Sequence, residues 1–156
     1  MAIDVACAVI QNQLGEYLCV QRANGKMMGK WEFPGGKLEP KETAFEASVR
    51  ELQEELDIHV KAEELLLEHT ELIRGEVYRL LFVKAEILSG EVTLKEHQNA
   101  LWLEASELTQ LDWLDGTGQW FIACQVCSKR RCLFKLLYFL ATYEHKSHSN
   151  NCGFTS

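Results

Sequence analysis

The chain opens with a nearly unbroken apolar run, Ile3 to Gln11 (IDVACAVIQ), whose β-branched residues predict a buried strand. A polar turn from Gln11 to Gly15 leads into a second strand, Glu16 to Arg22 (EYLCVQR), and the pair reads as a hairpin. Ala23 to Lys30 contains two glycines and is a loop. Trp31-Glu32-Phe33 is extended, because Pro34 disfavours helix in the residue before it, and Gly35-Gly36 marks a backbone that bends or approaches something closely. The helical period takes over at Thr43 to Leu56. There Phe45, Val49, Leu52 and Leu56 form an apolar stripe, and Glu42 and Glu46 favour the helix start. Leu65 to Ile73 and Glu76 to Leu88 predict two strands joined at Arg74-Gly75, followed by a turn at Ser89-Gly90, a strand at Gln98 to Glu104 and a helical turn at Ala105 to Thr109. Strands on both sides of one main helix give the mixed α/β class, of the α+β type. No internal repeat or interdomain linker interrupts it. Beyond residue 124 the pattern changes. Cys132 to Tyr143 is apolar nearly all round and His145 to Ser156 is polar, so 125–156 is expected to be a C-terminal helical extension and frayed tail on a domain spanning 1–124.

Composition narrows the classes. The 156 residues are 47% hydrophobic and 25% charged, which fits a packed globular core and excludes disorder of the whole chain. With 16 Lys+Arg against 23 Asp+Glu the net charge is −7, which argues against stable nucleic-acid binding. A small phosphate-bearing ligand stays open, since a divalent cation reverses the local sign. No apolar run reaches the roughly 20 residues of a membrane-spanning helix, and Met1 to Val9 lacks the basic start of a signal peptide. Cys7 and Cys19 sit in apolar strands and read as buried thiols, so the expected compartment is the reducing cytoplasm. Cys124-x-x-Cys127 has no second compact pair and falls at helical spacing, which favours packing over zinc. The expected assembly is a monomer or homodimer.

The chemistry concentrates on the main helix. Glu51, Glu54 and Glu55 stand at i, i+3 and i+4 and share one helix face, where like charges repel. Clustered carboxylates are natural ligands for a hard cation such as magnesium, and Arg50 beside them is placed to fix one carboxylate by a charge-assisted pair. Upstream, the spacing runs Gly36, five residues, Glu42, seven residues, Arg50-Glu51-Leu52, one residue, Glu54-Glu55.

That spacing resembles the signature of the Nudix hydrolase family, with Asp57 standing where the family usually has Gly. Asp tolerates the left-handed backbone such a position often needs. Trp31-Glu32-Phe33-Pro34-Gly35-Gly36-Lys37 resembles the segment preceding the signature in the MutT-like branch, and Glu96-His97-Gln98 with Trp102 resembles the loop and strand after it. The likeness runs over about residues 3 to 114.

The resemblance implies an α/β/α sandwich with a central mixed sheet. It also implies a hydrolase that cleaves a nucleoside triphosphate to the monophosphate and pyrophosphate with Mg²⁺, or Mn²⁺ in its place. Oxidised dGTP (8-oxo-dGTP) is the leading substrate and CTP or 5-methyl-dCTP the alternative. A nucleotide-binding module without turnover is the reading from another class. The implied metal ligands are Glu51, Glu54, Glu55, Glu96 and the Gly36 carbonyl. Arg50 and Glu42 support them, and Glu54 and Glu96 both stand as general base. Arg22, Phe33, Lys37 and Asp115 are implied substrate contacts, each with an ordinary alternative as a surface ion pair, core aromatic, solvated lysine or turn residue.

Overall fold

The computed structural model describes residues 1–115 and Gly118; the expectations for residues 119–156 lie outside them. Seven strands and one α-helix succeed one another in the order β1 (Ile3–Ile10), β2 (Tyr17–Arg22), β3 (Trp31–Glu32), β4 (Gly35–Lys37), α1 (Ala44–Leu56), β5 (His59–Ile73), β6 (Glu76–Ser89) and β7 (His97–Leu103). A short 3₁₀ turn, Leu108–Gln110, comes after them. They build a mixed four-stranded sheet in the order β4-β1-β6-β5, in which β1 and β6 are parallel, and an antiparallel three-stranded sheet in the order β3-β2-β7. The mixed α+β class and the central mixed sheet hold. Among the described residues the helical contribution is α1, and a second helical layer would have to come from outside them. No described helix is long and apolar enough to cross a membrane.

β1 explains its own sequence. Cys7 and Val9 enter one core with Trp31, Phe33, Phe82 and Trp113, while Ala8 and Ile10 enter a second with Leu52, Leu56 and Ile58. Both faces are covered, so the strand reads as continuous apolar residues instead of alternating ones. β2 divides in the same way, Tyr17 and Cys19 against Leu18 and Val20. This corrects the expected hairpin. The strands start a ladder at the Gln11–Tyr17 bridge and then part, each into its own sheet. A two-stranded ribbon cannot bury both of its faces.

Helix α1 starts on a capping box. Glu46 N–H donates to Thr43 Oγ1 at 3.2 Å and Thr43 N–H to Glu46 Oε2 at 2.9 Å. It ends at Asp57, which takes the left-handed conformation with φ 58°. The Asp57 carboxylate accepts from Gln53 Nε2 at 3.0 Å and Lys95 Nζ at 2.9 Å, contacts that hold its ionisation below the usual range, the Lys95 hydrogen bond first among the causes. The buried face differs from the expected stripe. Phe45 and Val49 are 38% and 39% exposed, whereas Ala47, Ser48, Leu52, Glu55 and Leu56 are buried. Ser48 satisfies its hydroxyl on Ala44 O at 2.8 Å, and Glu55 accepts a backbone N–H, so the polar members are paired. β5 begins at His59, six residues before the expected Leu65, because bulges near Val60, Ala62 and Leu65 break the alternation by which a strand is recognised.

Candidate active site

Local chain geometry brings the loop after β4 onto α1 through one guanidinium. Arg50 Nε and Nη2 donate to the two oxygens of Glu42, each at 2.8 Å, a bidentate pair. Arg50 Nη1 donates to Glu51 Oε1 at 2.8 Å and to Glu54 Oε2 at 3.3 Å, and Nη2 reaches Lys37 O at 3.2 Å. Glu42 also accepts the Glu39 N–H at 2.8 Å. The Arg50 hydrogen bond above all pulls the Glu42 carboxyl down to about 2, and the same pairing pushes Arg50 further up. Arg50 thus ties the loop, through Glu42 and the Lys37 carbonyl, to two helix carboxylates, Glu51 and Glu54, and offsets their repulsion.

The adjacent glycines are required for different reasons. A Cβ on Gly36 would lie 2.3 Å from Glu51 Oε1, so the absent side chain leaves room for a carboxylate. A Cβ on Gly35, at φ +143°, would lie 2.1 Å from Ala6 O, in the backbone of β1. β4 pairs antiparallel with β1, Gly36 opposite Ala6 and Gly35 opposite Cys7, which fixes the pair against the core.

Glu55 points inward. It is 8% exposed and accepts the Gly35 N–H at 3.2 Å. Burial pushes its carboxyl up to about 8, the nearby Glu51 and Glu32 charges add to the rise, and His97 and the Gly35 N–H oppose it. Glu32, also 8% exposed, stands between Arg22, whose Nη1 reaches both Glu32 oxygens at 3.1 Å, and His97, whose Nε2 lies 3.2 Å from Glu32 Oε1. Burial lowers the His97 pKa, but the Glu32 hydrogen bond and the Glu55 and Glu32 charges outweigh it, and the net shift is upward.

Next to this network lies a cavity of about 450 Å³ whose lining includes Arg22, Glu32, Phe33, Gly36, Lys37 and Asp115. Phe33 belongs to the core as well, edge-on to Phe82 at 6.2 Å and tilted against Trp113 at 5.0 Å. The structure therefore brings Arg22, Phe33, Lys37 and Asp115 to one cavity, and Arg50, Glu42, Glu51 and Glu54 to one charged cluster at its Gly36 edge. Glu96 is exposed in the bend before β7, placed by the Lys95 N–H on Glu55 O at 3.0 Å and the Thr93 N–H on Leu56 O at 2.9 Å. Among the described residues no three His, Cys, Asp or Glu side chains converge on a single point. Glu51 turns to Arg50, Glu55 to Gly35, and Glu54 to solvent with 57% of its side chain exposed. The donor set nonetheless suits a hard cation: all oxygens, on adjacent turns, beside a backbone kept clear at Gly36.

Two residues of the network, Glu32 and His97, were not among those the sequence singled out as site residues. The signal for Glu32 was a carboxylate flanked by Trp31 and Phe33 in a strand with no exposed position. For His97 it was adjacency to Glu96, which alone does not distinguish a structural imidazole.

A family model described as the NUDIX domain matches residues 1–122. The chain is similar to the CTP pyrophosphohydrolase of Escherichia coli (strain K12), 36% identical over 109 residues covering 69% of this chain and 80% of that protein. It is also similar to the 8-oxo-dGTP diphosphatase of the same strain, 34% identical over 112 residues covering 71% and 87%. Among solved structures, the solution structure of the E. coli ORF135 protein superimposes with a TM-score of 0.70 at 30% identity, covering 85% of this chain and 94% of that one.

Proposed function

This chain belongs to the NUDIX family, and from that premise we propose that it is a MutT-like pyrophosphohydrolase. In this reading it cleaves a nucleoside triphosphate to the monophosphate and pyrophosphate, with 8-oxo-dGTP as the leading substrate. One observation carries the reading: Gly36 walls the 450 Å³ cavity on one side and packs Glu51 on the other. A nucleotide seated in the cavity presents its phosphates to the carboxylates.

NUDIX hydrolases generally use divalent metal ions. Glu51, Glu54, Glu55, Glu96 and the Gly36 carbonyl would hold Mg²⁺ or Mn²⁺, which supplies charge neutralisation on the phosphates and a lowered pKa for the attacking water. The chain's own side chains do the rest. Arg50, itself held bidentately by Glu42, fixes the Glu51 rotamer before substrate arrives. Lys37 and Arg22 meet the phosphate and sugar, and Phe33 offers a ring to the base. Asp115 accepts from a base N–H donor, which guanine and cytosine both present. Glu54 or Glu96, both exposed, takes the water proton. The free, buried thiols of Cys7 and Cys19 suit a reducing cytoplasm.

The test is product analysis on 8-oxo-dGTP, dGTP, CTP and 5-methyl-dCTP, each with Mg²⁺ and with chelator. Monophosphate and pyrophosphate in Mg²⁺ alone are expected. Diphosphate with orthophosphate refutes the bond assignment, and nucleotide binding without turnover favours the non-catalytic module.

A further inference from the structure

Simple alternation along β7 would turn His97 away from α1. Ala100 and Trp102 pack with Leu18, Val20 and Leu52, whereas Leu103 packs with Tyr17 and Cys19 in the other core. A strict period of two puts Gln98 on the first face and His97 on the second. The ladder to β2 shifts, however. Gln21 pairs with Asn99 and Arg22 with His97, so Gln98 is left over as a bulge. The bulge brings His97 into phase with Ala100. Val20, which pairs with Ala100, pairs on its other side with Glu32. Arg22, Glu32 and His97 thereby come onto one face of the β3-β2-β7 sheet.

The contact that results crosses β2. His97 Nε2 donates to Glu32 Oε1 at 3.2 Å, since a carboxylate only accepts, and the same carboxylate holds Arg22. The His97 side chain is 5% exposed, and its Nδ1 is buried with no hydrogen-bond partner among the described residues. An apolar side chain would fill this space without an unpaired nitrogen, so packing alone does not account for a histidine here. What the ring does hold is the chain next to Glu96. On the other side of Glu96 the backbone is held already: Lys95 N–H donates to Glu55 O at 3.0 Å and Thr93 N–H to Leu56 O at 2.9 Å, at the end of α1. Glu96 is exposed and makes no hydrogen bond or ion pair of its own among the described residues, so the tethers of its neighbours set its place.

We infer that His97 is a positioning residue: clamped to Glu32, it fixes the bend before β7 and so keeps the Glu96 carboxylate at the reaction centre. The inference rests on the role proposed above for Glu96 and adds the side chain through which that role is maintained. Because Arg22 shares the Glu32 anchor, the cavity wall and the Glu96 bend are braced on one buried carboxylate. Removing the imidazole frees the bend and leaves the Arg22–Glu32 pair in place, which separates turnover from substrate binding.

The experiment compares His97→Leu, His97→Gln and Glu96→Gln in the full chain by amide hydrogen exchange, thermal melts and steady-state kinetics on the preferred triphosphate with Mg²⁺. His97→Leu should speed exchange across residues 93–99 roughly tenfold while α1 and β1 keep the parent rate, the mark of a local opening. Its kcat should fall roughly tenfold to a hundredfold, the scale of a misplaced reacting group, with KM within about twofold. His97→Gln retains a donor that can reach Glu32 and should recover most of both losses. His97→Asn, whose amide is too short for Glu32, takes the place of the Leu variant if that folds poorly. Glu96→Gln should lose kcat with the exchange of the bend unchanged. Parent-like exchange over 93–99 in His97→Leu overturns the inference. A lowered Tm with exchange raised evenly through the chain also overturns it, since His97 is then structural. Parent kcat in His97→Leu beside an impaired Glu96→Gln overturns the inference alone, whereas parent kcat in Glu96→Gln refutes the role proposed for Glu96 and the clamp's purpose with it.

Discussion

Substituting Gly35 and Gly36 one at a time by Ala should give opposite phenotypes. At Gly36 the new methyl meets the Glu51 carboxylate, with 2.3, 2.5 and 2.8 Å to its three nearest atoms. These are the far end of a flexible side chain, so Glu51 swings aside and the backbone stays. The swing breaks the 2.8 Å bond to Arg50, a partly buried charge-assisted contact whose loss costs about 1–2 kcal/mol. For a chain of this length that is a fall in Tm of roughly 2–4 °C per kcal/mol. The reaction suffers more, since a group displaced by about 1 Å from its working position costs roughly 10²-fold in rate. At Gly35 the methyl meets Ala6 O at 2.1 Å and the carbonyl carbon at 3.0 Å, and φ is +143°. Backbone cannot swing aside. Strain of about 1–3 kcal/mol from the conformation adds to about 1–3 kcal/mol from overpacking, a large share of the roughly 5–15 kcal/mol that holds a domain folded. Thermal melts and pyrophosphate release on both purified variants decide the matter. Gly36→Ala should be folded and nearly inactive, and Gly35→Ala should be poorly folded. A Gly36→Ala protein that melts as early as Gly35→Ala, or that turns over at the parent rate, would refute the reasoning.

Glu55 gives metal-free stability a pH dependence of known sign. Its carboxyl is raised to about 8 in the folded chain, so the folded state holds a proton that the unfolded state releases above about 4.5. That stabilisation is complete below about pH 4.5 and is lost as pH rises through about 8. Glu55→Gln should flatten the Tm profile between pH 5 and 8 in chelator and melt above the parent at pH 8. An unchanged slope would remove Glu55 as its source. Asp57 separates backbone from side chain: Asp57→Ala should cost about 1 kcal/mol in denaturant melts, because Ala lacks the local hydrogen bonding that eases φ 58°. Asp57→Gly should stay within about 0.5 kcal/mol of the parent, as Gly relieves the backbone while losing the Lys95 and Gln53 contacts. A larger loss in the Gly variant would make those contacts the source of stability.

The parts of the fold that were legible in the sequence are those set by local rules. The carboxylate face of α1 comes from a 3.6-residue period, and the approach of Glu42 to Arg50 from a short connection into the same helix. The positive φ at Asp57 comes from helix termination. The Glu32–His97 contact spans 65 positions and joins β3 to β7 across β2, and no spacing encodes that strand order. The expected hairpin failed for the same reason, since pairing depends on which sheet offers cover for a second apolar face. Phe45 and Val49 satisfied the helical period but lie off the contact face, because α1 turns Glu55 inward to meet Gly35. The common cavity for Arg22, Phe33, Lys37 and Asp115 combines segments that are distant along the chain, so only the assembled sheets display it.

With a core on either side of it, β1 has no outside, and that governs how its sequence is free to drift. In a half-exposed strand every second position accepts polar or bulky replacements at little cost, so variation accumulates there. On β1 Ala6 through Ile10 are all at most 2% exposed, and an exchange at any of them must be matched in one core or the other. Two of these residues, Ala6 and Cys7, pair with Gly36 and Gly35, so packing pressure on the strand also keeps the site loop in register. The exposed positions of β5, at the sheet edge, are where this fold can accumulate substitutions without disturbing the reaction centre, whereas Val60 in the core and Ile73 at the cavity are not.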